Sequence, residues 1–230
     1  MIKKLLTSVL DVIYPPTCMI CQRALYEKEQ SICLSCLNEL PLTRLSYSEV
    51  NEADKIFWGL VDIEKVMSFI YYEKGSNFNH LLHNLKYKGY YQLGTTLGQL
   101  MAQGIDPCFF KTIDFIIPVP IHPKKEKQRG YNQALWLSKG IQRVYSIPID
   151  CDTLQKGVFT ESQTRKGVYE RRTNTEDVFQ FNPNKRMEGK HILLVDDVLT
   201  TGATLTACCS LLKSEMNVKV SILTFALTRE

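Results

Sequence analysis

The chain has 230 residues, 44% of them hydrophobic and 23% charged, with a formal net charge of +4. That suffices for a sizeable core in one or two domains, and no apolar run approaches the ~20 residues needed to cross a bilayer. The mild basic excess would accommodate an anionic partner without requiring one.

The first stretch, "MIKKLLTSVLDVIYPP", places Lys3 and Lys4 before an apolar run, as a secretion signal would. Asp11 interrupts that run, and no small-x-small cleavage site follows. Leu5, Leu6, Val9, Val12 and Ile13 share one helical face, which predicts a short amphipathic helix ending before Pro15 and Pro16. With no export signal and ample core, the eight cysteines do not read as a disulfide framework, and the protein reads as cytoplasmic.

Four of those cysteines form two C-x-x-C pairs, Cys18/Cys21 and Cys33/Cys36, with 11 residues between Cys21 and Cys33. Two such turns complete a tetrahedral thiolate shell for Zn²⁺. The alternative is a redox pair, which a single C-x-x-C would suit better. All four positions being cysteine leaves no site for a catalytic water, so the metal is expected to be structural. Residues 1–50 contain five Lys/Arg and five Asp/Glu, and a Zn²⁺ with four thiolates adds −2. Such a module is a poor generic phosphate binder, and packing on the main domain or docking a protein is the expectation.

Residues 41–54 are polar and mark a boundary between a module at 1–50 and a domain at 51–230. "KIFWGL" and "VMSFIYYE" then read as β-rich runs. Phe78, Leu81, Leu82 and Leu85 recur at helical spacing, and a second helix is predicted over "YQLGTTLGQLMAQGI". "TIDFIIPVPIHP" is a short buried strand running into prolines. "GYNQALWLSKGIQRVY" is helical, and "DVFQF" a short strand. "HILLVDD" is a buried strand, "GATLTACCSLLKSE" a helix and "VKVSILTFAL" a last buried strand. Aliphatic strands alternating with helices predict a parallel α/β sheet covered on both faces.

In such sheets ligands bind beyond the C-terminal strand ends. There the chain reads "VDDVLTTGAT". Gly202 permits close backbone approach, Thr200, Thr201 and Thr204 offer hydroxyls, and the opening amides of the next helix suit a phosphate. Asp196 and Asp197 would repel a phosphate beside them but accept hydrogen bonds from a diol. A phosphate at one end and a diol at the other describe ribose 5-phosphate. A Walker-B strand also ends in acids, but no G-x-x-x-x-G-K-[ST] occurs to accompany it. The remaining alternative is a plain strand–turn–helix corner with solvated aspartates.

"LLVDDVLTTGAT" closely resembles the phosphoribosyl-diphosphate (PRPP) motif of type I phosphoribosyltransferases. The wider chain resembles the ComF family, competence-associated and phosphoribosyltransferase-like. The resemblance rests further on the Cys18–Cys36 knuckle, "LKYKG" (Leu85–Gly89), "PVPIHP…RGYNQA" (Pro118–Ala134), and Thr160, Gln163, Arg171 and Asn174. It implies a phosphoribosyltransferase-like, Rossmann-like domain with a small N-terminal zinc module built on four cysteines. It also implies that Asp196 and Asp197 hold the ribose hydroxyls as the catalytic pair, and that Thr200, Thr201, Gly202, Ala203 and Thr204 hold the 5′-phosphate. Pro120, His122 and Lys124 fall in the segment matching the pyrophosphate loop. Lys124, Lys125, Lys127 and Arg129 there stand against Glu126 alone, which suits a diphosphate with Mg²⁺. The alternative for this cluster is a solvated loop. Residues 155–177 correspond to a flexible hood, from which Arg165, Lys166, Arg171 and Arg172 could reach a diphosphate or a nucleic-acid backbone.

Two functions remain open on the sequence. The resemblance implies a factor that binds PRPP or ribose 5-phosphate and acts on single-stranded DNA in uptake and natural transformation. A competence helicase or recombination mediator is then a possible partner. Lys86 and Lys88, interleaved with Tyr87, Tyr90 and Tyr91, suit a backbone track with stacking platforms, although ordinary packing would also explain the tyrosines. The other function is an active phosphoribosyltransferase acting on a nucleobase, for which Tyr131, Asn132 and Trp136 are available. Of the histidines, His80 and His83 read as helix-surface residues, and Cys208 and Cys209 as small core residues.

Overall fold

Hydrophobic runs that are apolar on both faces dictate the centre of this molecule. The computed structural model describes residues 15–26, 29, 31–76, 78–87, 90–157 and 179–229. Four strands, β1 (Lys65–Tyr72), β2 (Phe115–Pro118), β5 (His191–Leu199) and β6 (Lys219–Thr228), run parallel in the order β1-β6-β5-β2. A separate antiparallel pair joins β3 (Leu154–Lys156) to β4 (Phe179–Phe181).

Alternate residues of β5 feed opposite layers. Ile192 and Leu194 pack with Leu205, Cys208, Cys209 and Leu212, which lie on α7 (Ala203–Glu215). Leu193 and Val195 face the other layer, with Leu97 and Met101 of α4 (Tyr91–Gly104) and Leu137 and Ile141 of α6 (Gln133–Tyr145). The sheet is therefore covered on both faces, as its aliphatic strands require.

The α4–α6 crossing is closed by two glycines. A Cβ on Gly98 would lie 2.0 Å from the Leu137 carbonyl oxygen, and one on Gly140 would lie 2.3 Å from that of Thr95. Backbone meets backbone here, so neither position has room for a side chain.

Both sheet edges are protected, as exposed edges invite association. On the β1 edge the Thr43 N–H donates to Phe69 O (3.0 Å) and the Tyr71 N–H to Pro41 O (2.7 Å). On the β2 edge the Ile116 N–H donates to Pro148 O and the Asp150 N–H to Ile116 O, each at 2.9 Å. The polar stretch read as a boundary is thus stitched to the sheet.

The expected strand "KIFWGL" is instead the end of a helix followed by turns. Asn51 caps α2 (Glu52–Lys55), accepting from Ala53 and Asp54 amides while Asp54 accepts from the Asn51 N–H. That capping box commits the chain to a helical turn before the aromatic run begins. Phe57 is then buried and Trp58 left exposed.

The cysteine module does not stand apart. Cys18, Ile20, Ile32, Cys33 and Cys36 belong to the same apolar cluster as Phe69, Leu81 and Leu85, the last two on α3 (Asn79–Tyr87). The Asn84 side-chain amide also donates to Met19 O at 3.2 Å. Cys36 lies on a short helix, α1 (Leu34–Asn38). The helix expected at residues 1–14 lies outside the described residues. No helix among the described residues is long and apolar enough to cross a membrane.

Candidate functional site

The strand β5 does not stop at its acids: Asp196 and Asp197 lie within it, and it ends at Leu199. Pairing with β6 continues through Asp196–Thr224 and Leu199–Leu227, so the backbone of the acidic pair is part of a rigid ladder. Past the strand end, Thr200 and Thr201 are exposed, Gly202 is buried, Ala203 is exposed and Thr204 half-buried.

Gly202 is the N-cap of α7, with φ +75°. A side chain there would be strained twice, since its Cβ would meet Ile56 Cγ2 at 3.0 Å and Phe57 Cε1 at 3.1 Å. Glycine also has a chemical consequence. A serine or aspartate cap would accept hydrogen bonds from the opening amides of the helix, whereas glycine offers no side-chain acceptor. The first closing bond runs from the Thr206 N–H to Gly202 O at 2.8 Å. The amides of Ala203, Thr204 and Leu205 precede it and have no carbonyl one turn back. They sit at the positive end of the helix dipole. A small cavity of about 70 Å³, lined by Asp196 and residues 198–205, opens at this corner.

Beside it lies a larger cavity of about 240 Å³, with Asp196, Asp197 and Thr204 on one side. Pro120, Ile121 and His122 form its loop wall, and Lys125 and Arg129 project from α5 (Pro123–Arg129). Lys86 of α3 and Lys156 of β3 complete a cationic lining around the two carboxylates. Lys86 Nζ is 3.2 Å from Asp197 Oδ2. Asp196 accepts the Asp197 N–H at Oδ1, 2.8 Å. Burial first, and the Asp197 charge second, push the Asp196 carboxyl well above the ordinary carboxylate range, while Lys86 and Lys156 oppose that shift.

The walls are locked by "RGYNQ". Gly130 ends α5 in the left-handed region and turns the chain. Tyr131 is buried and its hydroxyl donates to Leu85 O of α3. Asn132 caps α6 by accepting the Ala134 N–H (3.0 Å) and donates to Val119 O (3.0 Å). Gln133 accepts from Arg129 Nη1 at 2.9 Å, which holds the guanidinium at the cleft. Val119 in turn donates its N–H to Val195 O at 2.9 Å, tying this loop to β5.

Of the residues singled out from sequence, Asp196, Asp197, Thr204, Pro120, His122, Arg129 and Lys86 meet at one cleft, with Thr200–Ala203 at its adjoining corner. Lys124 is exposed outside the lining; its N–H donates to His122 Nδ1 at 3.1 Å and serves to cap the helix. Lys88, Arg165 and Arg171 lie outside the described residues. Sequence reasoning placed Lys125 only in a charge cluster and gave Lys156 and Gln133 no site role. Lys125 and Arg129 are four apart, the spacing that puts both on one helix face, but "PKKEKQR" carries no apolar period to reveal the helix. His191, at the other end of β5, is satisfied by Ser221 Oγ (2.9 Å) and Thr112 Oγ1 (3.0 Å).

Between α4 and α6, Tyr91 and Trp136 pack as a tilted pair with ring centroids 4.6 Å apart, and Lys139 Nζ is 3.8 Å from the Trp136 centroid. Tyr90 and Tyr91 are 40% and 46% exposed.

The four cysteine sulfurs lie within 4.8 Å of one another. A tetrahedral shell with Zn–S near 2.3 Å needs separations of this order, so the residues fit a zinc ion. Amides of Ile20 and Cys33 donate to Cys18 Sγ at 3.5 and 3.4 Å, as suits a charged thiolate. Cys18, Cys21, Cys33 and Cys36 would hold the ion structurally. One such cluster occurs among the described residues.

Residues 149–229 match the phosphoribosyl transferase domain model, and residues 9–46 match the double zinc ribbon domain. Competence protein F of Haemophilus influenzae is 30% identical over 138 residues, 58% of this chain and 60% of that protein. Competence protein ComFC of Bacillus subtilis is 34% identical over 116 residues, 50% of this chain and 44% of its own length. The DNA utilization protein YhgH of Escherichia coli O157:H7 is 26% identical over 136 residues, 57% of this chain and 59% of that protein. The match thus spans 60% or less of the length of these relatives. The parallel sheet and its matched C-terminal segment define a phosphoribosyltransferase-fold protein carrying a four-cysteine zinc module. Its likeness to competence protein F, ComFC and YhgH, with a phosphoribosyl transferase segment and a zinc ribbon in one chain, supports the resemblance to the ComF family read from the sequence.

Proposed function

We propose that this protein binds PRPP, or a ribose 5-phosphate moiety, at the C-terminal end of β5 and works in the handling of single-stranded DNA during uptake and transformation. The observation that carries the ligand is the side-chain-free cap at Gly202. It leaves the first amides of α7 for a phosphoryl group, one strand end away from two carboxylates that suit a diol. The opposite wall, with Lys125 and Arg129, suits the diphosphate, which would carry its Mg²⁺ on its own oxygens.

The DNA role is supported by two considerations. The relatives bear the names competence protein and DNA utilization protein. Tyr91 of α4 and Trp136 of α6 form a tilted ring pair with Lys139 over the Trp136 ring, and Trp136 lies one turn along α6 from Asn132 of the cleft lining; together they offer the ring-plus-cation chemistry that unpaired bases use.

The ligand reading is tested by titrating PRPP into wild type and an Asp196→Ala/Asp197→Ala double variant. Micromolar-class binding by wild type and its loss in the variant are expected; equal binding by both would sink the assignment. Adding a panel of nucleobases decides whether the site also transfers: pyrophosphate release with any base makes the protein a transferase, and none restricts it to binding.

A further inference from the structure

"LKYKG" and "RGYNQ" carry Lys86 and Tyr131, and one hydrogen bond joins the two stretches. The Tyr131 hydroxyl donates to Leu85 O in the last turn of α3. A carbonyl in that turn has no amide partner within its helix, so the bond satisfies a group that burial would otherwise make costly. Burial pushes the Tyr131 phenol up to about 12, which keeps it a donor at ordinary pH. The next residue after Leu85 is Lys86, its ammonium 3.2 Å from Asp197, with side-chain exposures of 28% and 16% for the pair. A lysine stem is long and flexible, and it stays at one carboxylate only where its backbone is fixed.

We propose that Lys86 is the counter-ion that presents Asp196 and Asp197 to the sugar, and that Tyr131 is the positioning residue that holds it there. This rests on the sugar-phosphate reading above. Two adjacent carboxylates in a half-buried strand end resist ionising together, yet only ionised carboxylates accept hydrogen bonds from both hydroxyls of a diol without competing as donors. The Lys86 ammonium, in contact with Asp197, favours the charged form of Asp196. Lys156 from β3 acts in the same sense on Asp196. Lys125, Arg129 and His122 also line the cavity, on the wall suited to the diphosphate, whose own negative charge would cancel their help to the pair. Lys86, in direct contact with Asp197, keeps its effect when that wall is filled.

The test uses the full-length, zinc-loaded protein and PRPP as the probe. Calorimetric affinity is followed from about pH 5.5 to about pH 9 for wild type, Lys86→Gln, Lys86→Arg and Tyr131→Phe, a range that brackets the raised carboxyl. Lys86→Gln should weaken PRPP binding about tenfold at neutral pH and move the acid limb of the affinity curve to higher pH. Lys86→Arg should restore most of both, and Tyr131→Phe should act in the same direction as Lys86→Gln with a smaller effect. In the ligand-free protein, carbon-13 NMR of the Asp196 carboxyl should show it ionising at higher pH in Lys86→Gln, a shift that a merely structural lysine would not produce. Wild-type affinity, acid limb and carboxyl titration in Lys86→Gln would overturn the inference while leaving the site reading intact. A wild type that does not bind PRPP overturns both.

Discussion

Asp197 donates its backbone N–H to the side chain of Asp196 at 2.8 Å, so the two acids of the cleft are held in one geometry by the chain itself. That hydrogen bond favours the ionised form of Asp196, but burial and the neighbouring charge outweigh it, at a cost in stability. Asp196 in the native protein keeps its proton to higher pH than a free aspartate, because of burial first and the Asp197 charge second. The native state therefore binds more protons than the unfolded chain once pH passes about 4, and stability falls as pH rises from there until the native Asp196 itself ionises. Asp196→Asn should raise the thermal midpoint, with a gain that grows between about pH 5 and about pH 8.5. A gain that is flat with pH would remove the buried carboxyl as its cause.

The fold was legible wherever a single periodicity decided the matter. The aliphatic runs of β5 and β6, and the helical spacing in α3, α4, α6 and α7, became the elements expected of them. The run "KIFWGL" misled because β-propensity reports how a side chain fits a pleated surface, while the Asn51–Asp54 capping box acts on the backbone one turn earlier. The candidate site was legible as far as one strand–turn–helix unit could show it. Its other walls were not, because Tyr131–Leu85 and Lys86–Asp197 are contacts between distant segments, and no local pattern announces a partner 46 residues away. Lys86 illustrates this: beside tyrosines it read as part of a nucleic-acid track, and its contact with Asp197 had no local signature.

Removing zinc should weaken the whole protein rather than one appendage. The cysteine module shares its apolar cluster with β1 and α3, so loss of the metal exposes a face of the main core. Chelation under native conditions should lower the thermal midpoint by about 10 °C and do so in a single transition. Two separated transitions, or no change, would show that the module folds independently of the sheet.

The α4–α6 crossing should tolerate no methyl group. At Gly98 the added carbon would fall 2.0 Å from a carbonyl oxygen, and at Gly140 2.3 Å from another, so relief requires the helices to part. Gly98→Ala or Gly140→Ala should cost about 3 kcal/mol in chemical denaturation, at the upper end of overpacking effects. Gly75→Ala is a useful contrast. Its Cβ would meet nothing within 4 Å, so it carries only the cost of its positive φ.

The aromatic pair between α4 and α6 gives the DNA reading its own test. Trp136 already carries Tyr91 and Lys139 against its ring, and Tyr91, 46% exposed, is the ring with surface left to offer a base. Tyr91→Ala should weaken binding of an oligothymidine by about 1–3 kcal/mol, since stacking is its contribution. Lys139→Gln should change the dependence on salt instead, reducing the slope of log affinity against log salt by about 0.7, as expected for one lost phosphate contact on a single strand. Measured by fluorescence anisotropy across a salt series, the two variants separate stacking from charge. An oligothymidine affinity that neither variant alters would place any DNA contact elsewhere on the molecule.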